Sequence, residues 1–409
     1  MPKKKSGTVI IDGEEARNTN AISFGGALKV INEGAAEKLK ELLNQGLNIN
    51  MTNDRGKTLL MIQCINHGLK GVKLLLEYGA DAKITDFWGN SALILACRHH
   101  KANCKEECAK IIKLLTAKGA DMNSASVLSS AIRHEGYGKG TALFEACIRG
   151  RVEVVRLLLE LGADINVTHQ NPLVEACTFR RINVVKLLIS YGADVNARNH
   201  YGHTSLGQAC GYGFDDIVEV LLNHGADMYL FIPQGPNKLN PLIIACMNGN
   251  VSTVKLLLDR GADVNYMCDG RTPLQTACYY GDIRVARYLL KRGADSNASS
   301  PYGLTPLMTA ARDSCNCFLL NLLLEYGADI NTECRGHCAL SIAAEKYWRE
   351  NVILLLERGA DLFKEDGITP VIAYFSYSIF TSDPDIAALV KQYGELNKRA
   401  NREIQPLLK

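Results

Sequence analysis

Hydrophobic and polar positions along this chain predict pairs of short helices. In the stretch DDIVEVLLNHG the apolar residues recur at i, i+1, i+4 and i+5, which is typical of one face of an amphipathic helix. These residues are Ile217, Val218, Leu221 and Leu222. The preceding stretch begins with Thr204, which can cap a helix start, and ends at Gly213, which can stop a helix in the left-handed conformation. Together the two stretches predict a helix–turn–helix unit.

The same two-helix phrase recurs along most of the chain. Near-copies of LLLxxGAD repeat with a period of about 33 residues, and a second phrase, which in most copies ends in AC or AA, precedes nearly all of them. The glycines of the first phrase are Gly46, Gly79, Gly119, Gly162, Gly192, Gly225, Gly261, Gly293, Gly327 and Gly359, with a degenerate copy at Gly394. Ordering one such unit costs about 50 kcal/mol, and one unit has no closed core. We therefore expect each copy to be stable only when neighbours stack on it.

These phrases resemble the ankyrin repeat, whose signature is T-P-L-H-x-A followed by V-x-L-L-L-x-x-G-A-D-x-N. GRTPLQTAC at Gly270 and LLLDRGAD at Leu256 show the two halves. The resemblance implies an all-α fold, an ankyrin-repeat solenoid of about ten helix–turn–helix repeats with short β-hairpin fingers. The signature histidine is missing throughout, for example at Gly207 and Gln275, so one hydrogen bond of the family pattern lacks its usual donor.

The resemblance also divides the chain. The repeat array covers residues 21–397, with 21–50 as the N-terminal capping repeat and 363–397 as the C-terminal capping repeat. Residues 1–20 are expected to be a disordered polar tail, and residues 398–409 a polar C-terminal tail.

Two insertions interrupt the period. The first, 98–108, lies between the two helices of one repeat, and the second, 124–140, precedes Gly140. We expect the regular array to be disturbed between Ser124 and Pro172. Insertions in repeat arrays often map to the binding face, and tolerated loop variation is the alternative.

Composition and charge narrow the classes of partner. The chain has 46 basic and 43 acidic residues and a net charge of +3, which gives no reason to expect nucleic acid. No run of about 18 apolar residues exists, so we expect no membrane insertion. The basic N-terminal stretch lacks the apolar core of a secretory signal. We therefore expect a cytoplasmic protein, with the nucleus as the alternative because Lys3–Lys5 resemble half of an import signal.

The 14 cysteines are expected to be reduced, and most of them to serve packing. Seven fall at one position of the repeat, where a small buried side chain is needed: Cys64, Cys97, Cys147, Cys177, Cys210, Cys246 and Cys278. The stretch HHKANCKEEC offers the best metal-like cluster. A metal- or redox-sensing protein acting through His99, Cys104 and Cys108 is therefore a competing hypothesis, although the spacing fixes no tetrahedral site.

Motifs for catalysis are missing from the sequence. It contains no phosphate-binding loop of the G-x-x-x-x-G-K-[ST] type, no G-x-S-x-G elbow and no H-E-x-x-H. The aspartates of GAD recur in every repeat, as expected of residues that hold a turn. We therefore expect no enzyme, no catalytic residue, no bound metal and no cofactor.

The remaining interpretation is a protein-binding surface on the concave side of the array. Large side chains occupy several positions outside the packing pattern, and aromatic residues are typical anchors of interfaces. The candidates are Phe87, Trp88, Phe179, His200, Tyr201, Tyr212, Tyr279, Tyr280 and Tyr302. We predict a scaffold, adaptor or regulatory subunit that is monomeric by itself. The alternative is a substrate-receptor subunit of a ubiquitin ligase or phosphatase complex.

The resemblance also implies a modification. Ankyrin repeats are similar to substrates of an asparaginyl hydroxylase that modifies the hairpin asparagine after GADV. Asn196 and Asn265 match this pattern best, and Asn166 and Asn331 are close to it.

Overall fold

The structure is a computed structural model that describes residues 23–99, 105–125, 140–166, 171–234, 237–313, 316–346, 348–361, 388 and 391–392. Within these residues the chain forms 20 α-helices and one two-stranded sheet, and it divides into two compact units, Met1–His200 and Tyr201–Lys409. The predicted tails at 1–20 and 398–409, and most of the predicted capping repeat at 363–397, lie outside the described residues.

Unit 1, Met1–His200, contains five helix pairs. They are α1 (Phe24–Glu33) with α2 (Ala36–Asn44), α3 (Leu59–Ile65) with α4 (Leu69–Glu77), α5 (Ala92–Arg98) with α6 (Lys105–Ala117), α7 (Ala142–Ile148) with α8 (Val152–Glu160), and α9 (Pro172–Thr178) with α10 (Ile182–Ser190). The first helices of the pairs from α3 to α9 pack side by side, and so do the second helices from α4 to α10. The capping role of 21–50 stays a prediction.

Unit 2, Tyr201–Lys409, repeats this arrangement. Its pairs are α11 (Ser205–Tyr212) with α12 (Asp215–Asn223), α13 (Pro241–Met247) with α14 (Val251–Asp259), α15 (Pro273–Tyr279) with α16 (Ile283–Lys291), α17 (Pro306–Ala310) with α18 (Cys317–Glu325), and α19 (Ala339–Glu345) with α20 (Arg349–Glu357). First helices contact first helices, and second helices contact second helices. Neighbouring pairs thus bury the apolar faces that one pair leaves open, which confirms the solenoid of helix–turn–helix repeats.

Most first helices begin at a capping side chain. Thr204 Oγ1 accepts a hydrogen bond from the Gly207 N–H at 3.1 Å, and Asn171 Oδ1 accepts one from the Leu173 N–H at 2.9 Å. The same role belongs to Thr58, Ser91, Thr141, Asn240, Thr272 and Thr305. Each cap contributes about 1 kcal/mol to stability. Gly213, with φ of 70°, ends α11 in the left-handed conformation, as predicted.

The residue just before a second helix often donates to carbonyls that end the first helix of the preceding repeat. These bonds are Arg151 Nη2 to Arg98 O (3.2 Å), Arg181 Nε to Ile148 O (2.8 Å), Asn250 Nδ2 to Cys210 O (2.9 Å) and Trp348 Nε1 to Arg312 O (3.1 Å). The last carbonyls of a helix have no partner within the helix. A later repeat therefore satisfies the end of an earlier one.

The seven repeat-aligned cysteines lie in the core as free thiols, which confirms the packing role. Each is buried among apolar neighbours, and burial raises the pKa of the Cys147 thiol well above its usual range. Because the thiolate is the reactive form, these cysteines are chemically inert in the folded state.

Short β-hairpins connect the repeats, as the resemblance implies. In most of them pairing is reduced to single bridges, such as Thr85 with Ser91 in unit 1 and Cys268 with Arg271 in unit 2. One hairpin of unit 2 is longer: its strands β1 (Ile232–Gln234) and β2 (Asn237–Leu239) pair antiparallel.

An asparagine ladder joins successive hairpin turns. Asn297 Oδ1 accepts from the Asp329 N–H at 2.7 Å, and Asn297 Nδ2 donates to Gly327 O at 2.9 Å. The same acceptor bond is made by Asn50, Asn123, Asn265 and Asn331. Tyr229 occupies the asparagine position in its repeat, and its hydroxyl accepts from the Asp263 N–H at 3.3 Å.

Gln275 replaces the missing signature histidine in its repeat. Its Nε2 donates to Ala298 O at 3.0 Å and to Leu304 O at 2.7 Å, and its Oε1 accepts from the Thr272 N–H at 2.9 Å. The bond that the sequence left without a donor is therefore made by a glutamine amide at this position.

The insertion at 98–108 is partly helical. The second helix α6 starts at Lys105 and has 13 residues, whereas α8 has 9. The expectation that 98–108 lies between the helices is therefore wrong for 105–108, which form the first turn of α6. Helix α7 contacts both α5 and α9, so the row of first helices continues through the segment expected to be disturbed. Most of the second insertion, 124–140, lies outside the described residues.

Candidate protein-interaction surfaces

The first-helix ends of unit 2 carry aromatic rings in pairs, and Tyr212, Tyr279 and Tyr280 among them are exposed while Phe214 is half-buried. Tyr212 and Phe214 stack with ring centroids 5.5 Å apart, and Tyr279 and Tyr280 meet edge to face at 5.1 Å. The pairs belong to α11 and α15, with α13 packed between those helices. Since packed helices lie about 10 Å apart, the two pairs are separated by about 20 Å. We call Tyr212, Phe214, Tyr279 and Tyr280 the aromatic surface of unit 2.

Two arginines extend this surface toward the hairpins. The Arg271 guanidinium lies 4.6 Å from the centroid of the Tyr279 ring, and that of Arg335 lies 5.6 Å from the Tyr302 ring. Tyr302 is 67% exposed, so its ring is covered on one side only. Cation–π pairs at exposed sites contribute about 0.5–1 kcal/mol and hold both side chains in place.

In unit 1 the predicted hairpin aromatics divide between packing and exposure. Phe87 is 74% exposed, yet its ring covers Gly56 of the preceding hairpin so closely that a side chain at Gly56 would collide with it. Trp88 is half-buried, and Lys57 Nζ lies 6.0 Å from its ring centroid.

The remaining predicted residues lie at the end of unit 1 and the start of unit 2. Phe179 is half-buried and follows the last residue of α9, whereas His200 is exposed. Tyr201 in unit 2 is 64% exposed, with its ring 5.9 Å from that of His203. The structure thus brings Tyr212, Tyr279 and Tyr280 onto one row of helices and leaves the other predicted residues dispersed.

Sequence reasoning missed several side chains at these surfaces. Phe214 and Arg271 complete the aromatic surface, and Phe318 on α18 is 74% exposed. The sequence around Phe318, CFLLNLLLE, is apolar on nearly all sides, so periodicity could not separate its exposed face. The position of Phe214, two residues after the aligned Tyr212, could have been found by comparing repeats.

The first-helix ends of unit 1 carry charges instead. Glu145 is buried, and its Oε1 accepts from Arg98 Nε at 3.0 Å and lies 2.8 Å from Arg98 Nη2. Its Oε2 accepts from Arg149 Nε at 3.4 Å. Little in the sequence points to this cluster, because Arg98 and Glu145 are separated by two insertions.

The metal hypothesis finds no support in the described geometry. Cys108 is buried in α6, and its Sγ donates to Ala96 O at 3.6 Å, so it does not face an open site with His99. Cys104 lies outside the described residues. Nowhere in the described segments do three or more His, Cys, Asp or Glu side chains gather as a metal site would require.

Asn265, the residue of unit 2 predicted to be hydroxylated, belongs to the asparagine ladder. Asn265 Oδ1 accepts from the Asp295 N–H at 2.9 Å, and its Nδ2 donates to Gly293 O at 3.3 Å. In unit 1 Asn196 is exposed in the corresponding turn, where its N–H donates to Asp194 Oδ1 at 2.9 Å.

Among the described helices, none is both long enough and apolar enough to cross a bilayer.

Comparison with known proteins identifies the family to which these repeats belong. A family model for ankyrin repeats (3 copies) matches residues 27–126, 104–199, 168–232, 206–300 and 293–366. The chain is 31% identical to NF-kappa-B inhibitor alpha of Sus scrofa over 118 residues, which are 29% of this chain and 34% of that protein. It is 31% identical over 162 residues to the probable E3 ubiquitin-protein ligase XBOS32 of Oryza sativa subsp. japonica, covering 35% and 32%.

A solved structure of the human ASB11 ankyrin repeat domain is 29% identical, with a TM-score of 0.47, and the match covers 53% of this chain and 98% of that domain. The matched segments span about a third of the two relatives. Ankyrin repeats are generally non-enzymatic modules that bind other proteins. Because the family model matches most of its length, the chain belongs to the ankyrin repeat family.

Proposed function

We propose that the aromatic surface of unit 2 is the main protein-binding site of a scaffold, adaptor or regulatory subunit. One observation carries this proposal: Tyr212, Tyr279 and Tyr280 are 56%, 50% and 48% exposed, yet their rings are held by aromatic or cationic neighbours. Rigid exposed aromatic rings bury much area on binding at little cost in conformational entropy.

The test is affinity purification of the full chain from cells that express it, comparing the wild type with Tyr212→Ala/Tyr280→Ala. Each lost anchor weakens a complex by about 2 kcal/mol, so we expect recovery of the main partners to fall more than tenfold. The matched control is Tyr326→Ala, because Tyr326 is also exposed in unit 2 but follows a second helix. An unchanged partner list in the double variant would contradict the proposal.

A second candidate function is a substrate receptor for a ubiquitin ligase or a phosphatase. It is favoured by two relatives that are named E3 ubiquitin-protein ligases, XBOS32 and XBAT32, of which this chain matches 32% and 28%. The same purification separates the candidates, since a receptor would recover a ligase or phosphatase core together with its substrate. A masking or scaffolding protein would recover its client alone.

We further propose that the chain catalyses no reaction, holds no cofactor, is monomeric by itself and acts in the cytoplasm or the nucleus. Support comes from the balanced charge, the sequence without catalytic motifs and the family's general role. Sedimentation of the purified chain tests the monomer, and imaging of the tagged chain tests the compartment.

Hydroxylation of Asn196 and Asn265 also remains a proposal. In the described turns, the Asn265 amide bonds across to the next repeat, so a modifying enzyme would have to open the ladder locally. Mass spectrometry of chain purified from cells tests this, and the proposal fails if neither residue carries an added oxygen.

A further inference from the structure

The first-helix ends of unit 1 gather arginines around one buried carboxylate, and Lys57, in the hairpin before α3, adds a fourth cation near His99. We call these cations, Lys57, Arg98, Arg149 and Arg151, the basic surface of unit 1. They act together on His99, whose pKa is lowered by burial first and then by each of the four. Glu145 is the carboxylate bound to two of them, so positive charge is in excess.

Glu145 fixes two guanidinium groups while leaving them accessible. The Arg98 and Arg149 side chains remain 26% and 41% exposed. Glu145 engages Nε and Nη2 of Arg98 and Nε of Arg149, so the other Nη groups have no hydrogen bond within the part of the chain that the structure describes. A guanidinium held in place loses less conformational entropy when it binds an anion.

The next carboxylate along this row has a hydrogen-bond partner of its own. Glu175 occupies the position of Glu145 one repeat later, and its Oε1 accepts from Asn199 Nδ2 at 3.4 Å. Burial raises the pKa of Glu175, which disfavours its charged form. At the other edge, the half-buried Trp88 ring lies 6.0 Å from Lys57 Nζ and offers an apolar contact beside the cations.

We propose that the basic surface of unit 1 binds an acidic segment of a partner protein, whose carboxylates pair with the free donors of Arg98 and Arg149 and with the Lys57 amine. Charge complementarity selects this occupant, since planar guanidinium groups match carboxylates in paired hydrogen bonds. The surface lies in unit 1 and shares no residue with the aromatic surface, so either binding proposal can fail while the other stands.

The experiment uses the full chain and a fluorescein-labelled oligoglutamate peptide ending in tryptophan, followed by fluorescence anisotropy at low and high salt. An oligoglutamine peptide of equal length is the probe control.

We expect Lys57→Gln/Arg149→Gln to weaken binding of the acidic peptide about tenfold or more. These changes keep the Arg98–Glu145 pair, so the fold is retained, which circular dichroism checks. The matched control is Arg156→Gln, an exposed arginine of α8 paired with Glu153 at 3.8 Å, and we expect it to bind like the wild type.

Three results would overturn the proposal. Equal binding of oligoglutamate and oligoglutamine would remove the charge argument. Equal loss in Arg156→Gln and in the double variant would show non-specific attraction. Tighter binding of a phosphorylated peptide or an oligonucleotide of equal charge, lost in the same double variant, would replace the carboxylate with phosphate as the ligand.

Discussion

Units 1 and 2 are built from the same repeat but expose different chemistry at the same positions. In unit 1 the fourth residue of α7 is Glu145 and that of α9 is Glu175, whereas the matching position in the first helices of unit 2 is neutral, as at Thr276 and Ile244. Arginines lie at or just after the ends of α5, α7 and α9 of unit 1, and tyrosines lie at the ends of α11 and α15 of unit 2.

Packing fixes the same apolar positions in the repeats of both units, and the residues at the ends of the first helices are left to differ. Leu60, Leu93, Leu206 and Leu274 are all buried, whichever unit they belong to. The conserved geometry comes from these apolar contacts and the caps. The two surfaces proposed for binding use side chains that differ between the units, such as Arg149 and Tyr280.

The largest expected loss in the free energy of unfolding comes from breaking the charged cluster of unit 1, which consists of Glu145, Arg98 and Arg149. Arg98→Ala leaves the buried Glu145 with only the longer Arg149 contact, and removing one partner of a buried pair costs about 3 kcal/mol. The control, Arg271→Ala in unit 2, removes an exposed cation–π contact and is expected to cost less than about 1 kcal/mol.

The two tryptophans make this comparison measurable, because Trp88 lies in unit 1 and Trp348 in unit 2. Urea unfolding followed by fluorescence reports on unit 1 in a Trp348→Phe background, for Arg98→Ala, and on unit 2 in a Trp88→Phe background, for Arg271→Ala. If the two arginine variants destabilise the protein equally, the charged cluster is not the special feature of unit 1.

A smaller loss in the free energy of unfolding is expected when one asparagine of the ladder is removed. Asn297→Ala removes two hydrogen bonds between adjacent turns of unit 2, which we expect to cost about 1–2 kcal/mol in urea unfolding. The unit 1 counterpart, Asn123→Ala, removes the bond from the Asp164 N–H and is expected to cost about 1 kcal/mol. A loss confined to one unit would contradict a shared scaffold.

Tyr229→Phe tests whether the phenol replaces asparagine in the ladder. The variant keeps the ring, which lies 5.0 Å from that of Tyr266, and removes only the hydroxyl that accepts from the Asp263 N–H. We expect a cost of about 0.5–1 kcal/mol by thermal unfolding. Tyr229→Asn is the matched variant, and its failure to restore the ladder bond would show that the hairpin has a different geometry there.

The smallest effect is a pH dependence confined to unit 1. The pKa of His99 in the fold lies below its usual value of 6.5, so the unfolded chain binds a proton more readily. The stability that neutral His99 contributes is therefore fully present above pH 6.5, and it is lost as the pH falls from 6.5 toward the lowered pKa. Urea titrations of the wild type and His99→Gln at pH 7.5 and about pH 5 test this, and an equal acid loss in both would contradict it.

Much of the fold could be predicted because each element has a local cause. The stripe of Ile217, Val218 and Leu221, the Thr204 cap and the Gly213 stop are all read within one repeat, and the structure confirms them. The helical start of α6 could not be predicted, because its first turn lies in an insertion that has no counterpart in other repeats.

The candidate surfaces were only partly predictable. Exposure of Tyr212, Tyr279 and Tyr280 followed from their register in the repeat. The pairing of Arg98 with Glu145 depends on contacts between distant repeats, and so does the choice of Gln275 as a donor to Ala298 and Leu304. Such contacts are fixed by side-chain reach and not by periodicity.

The bonds from Arg181 and Asn250 back to the preceding first helices give the array a direction. Shortening the protein from its C-terminal side strips donors and leaves the new last repeat with bare carbonyls. For these bonds, shortening from the N-terminal side removes only the acceptors, and the orphaned side chains can turn to water. With respect to these bonds, truncation is therefore asymmetric.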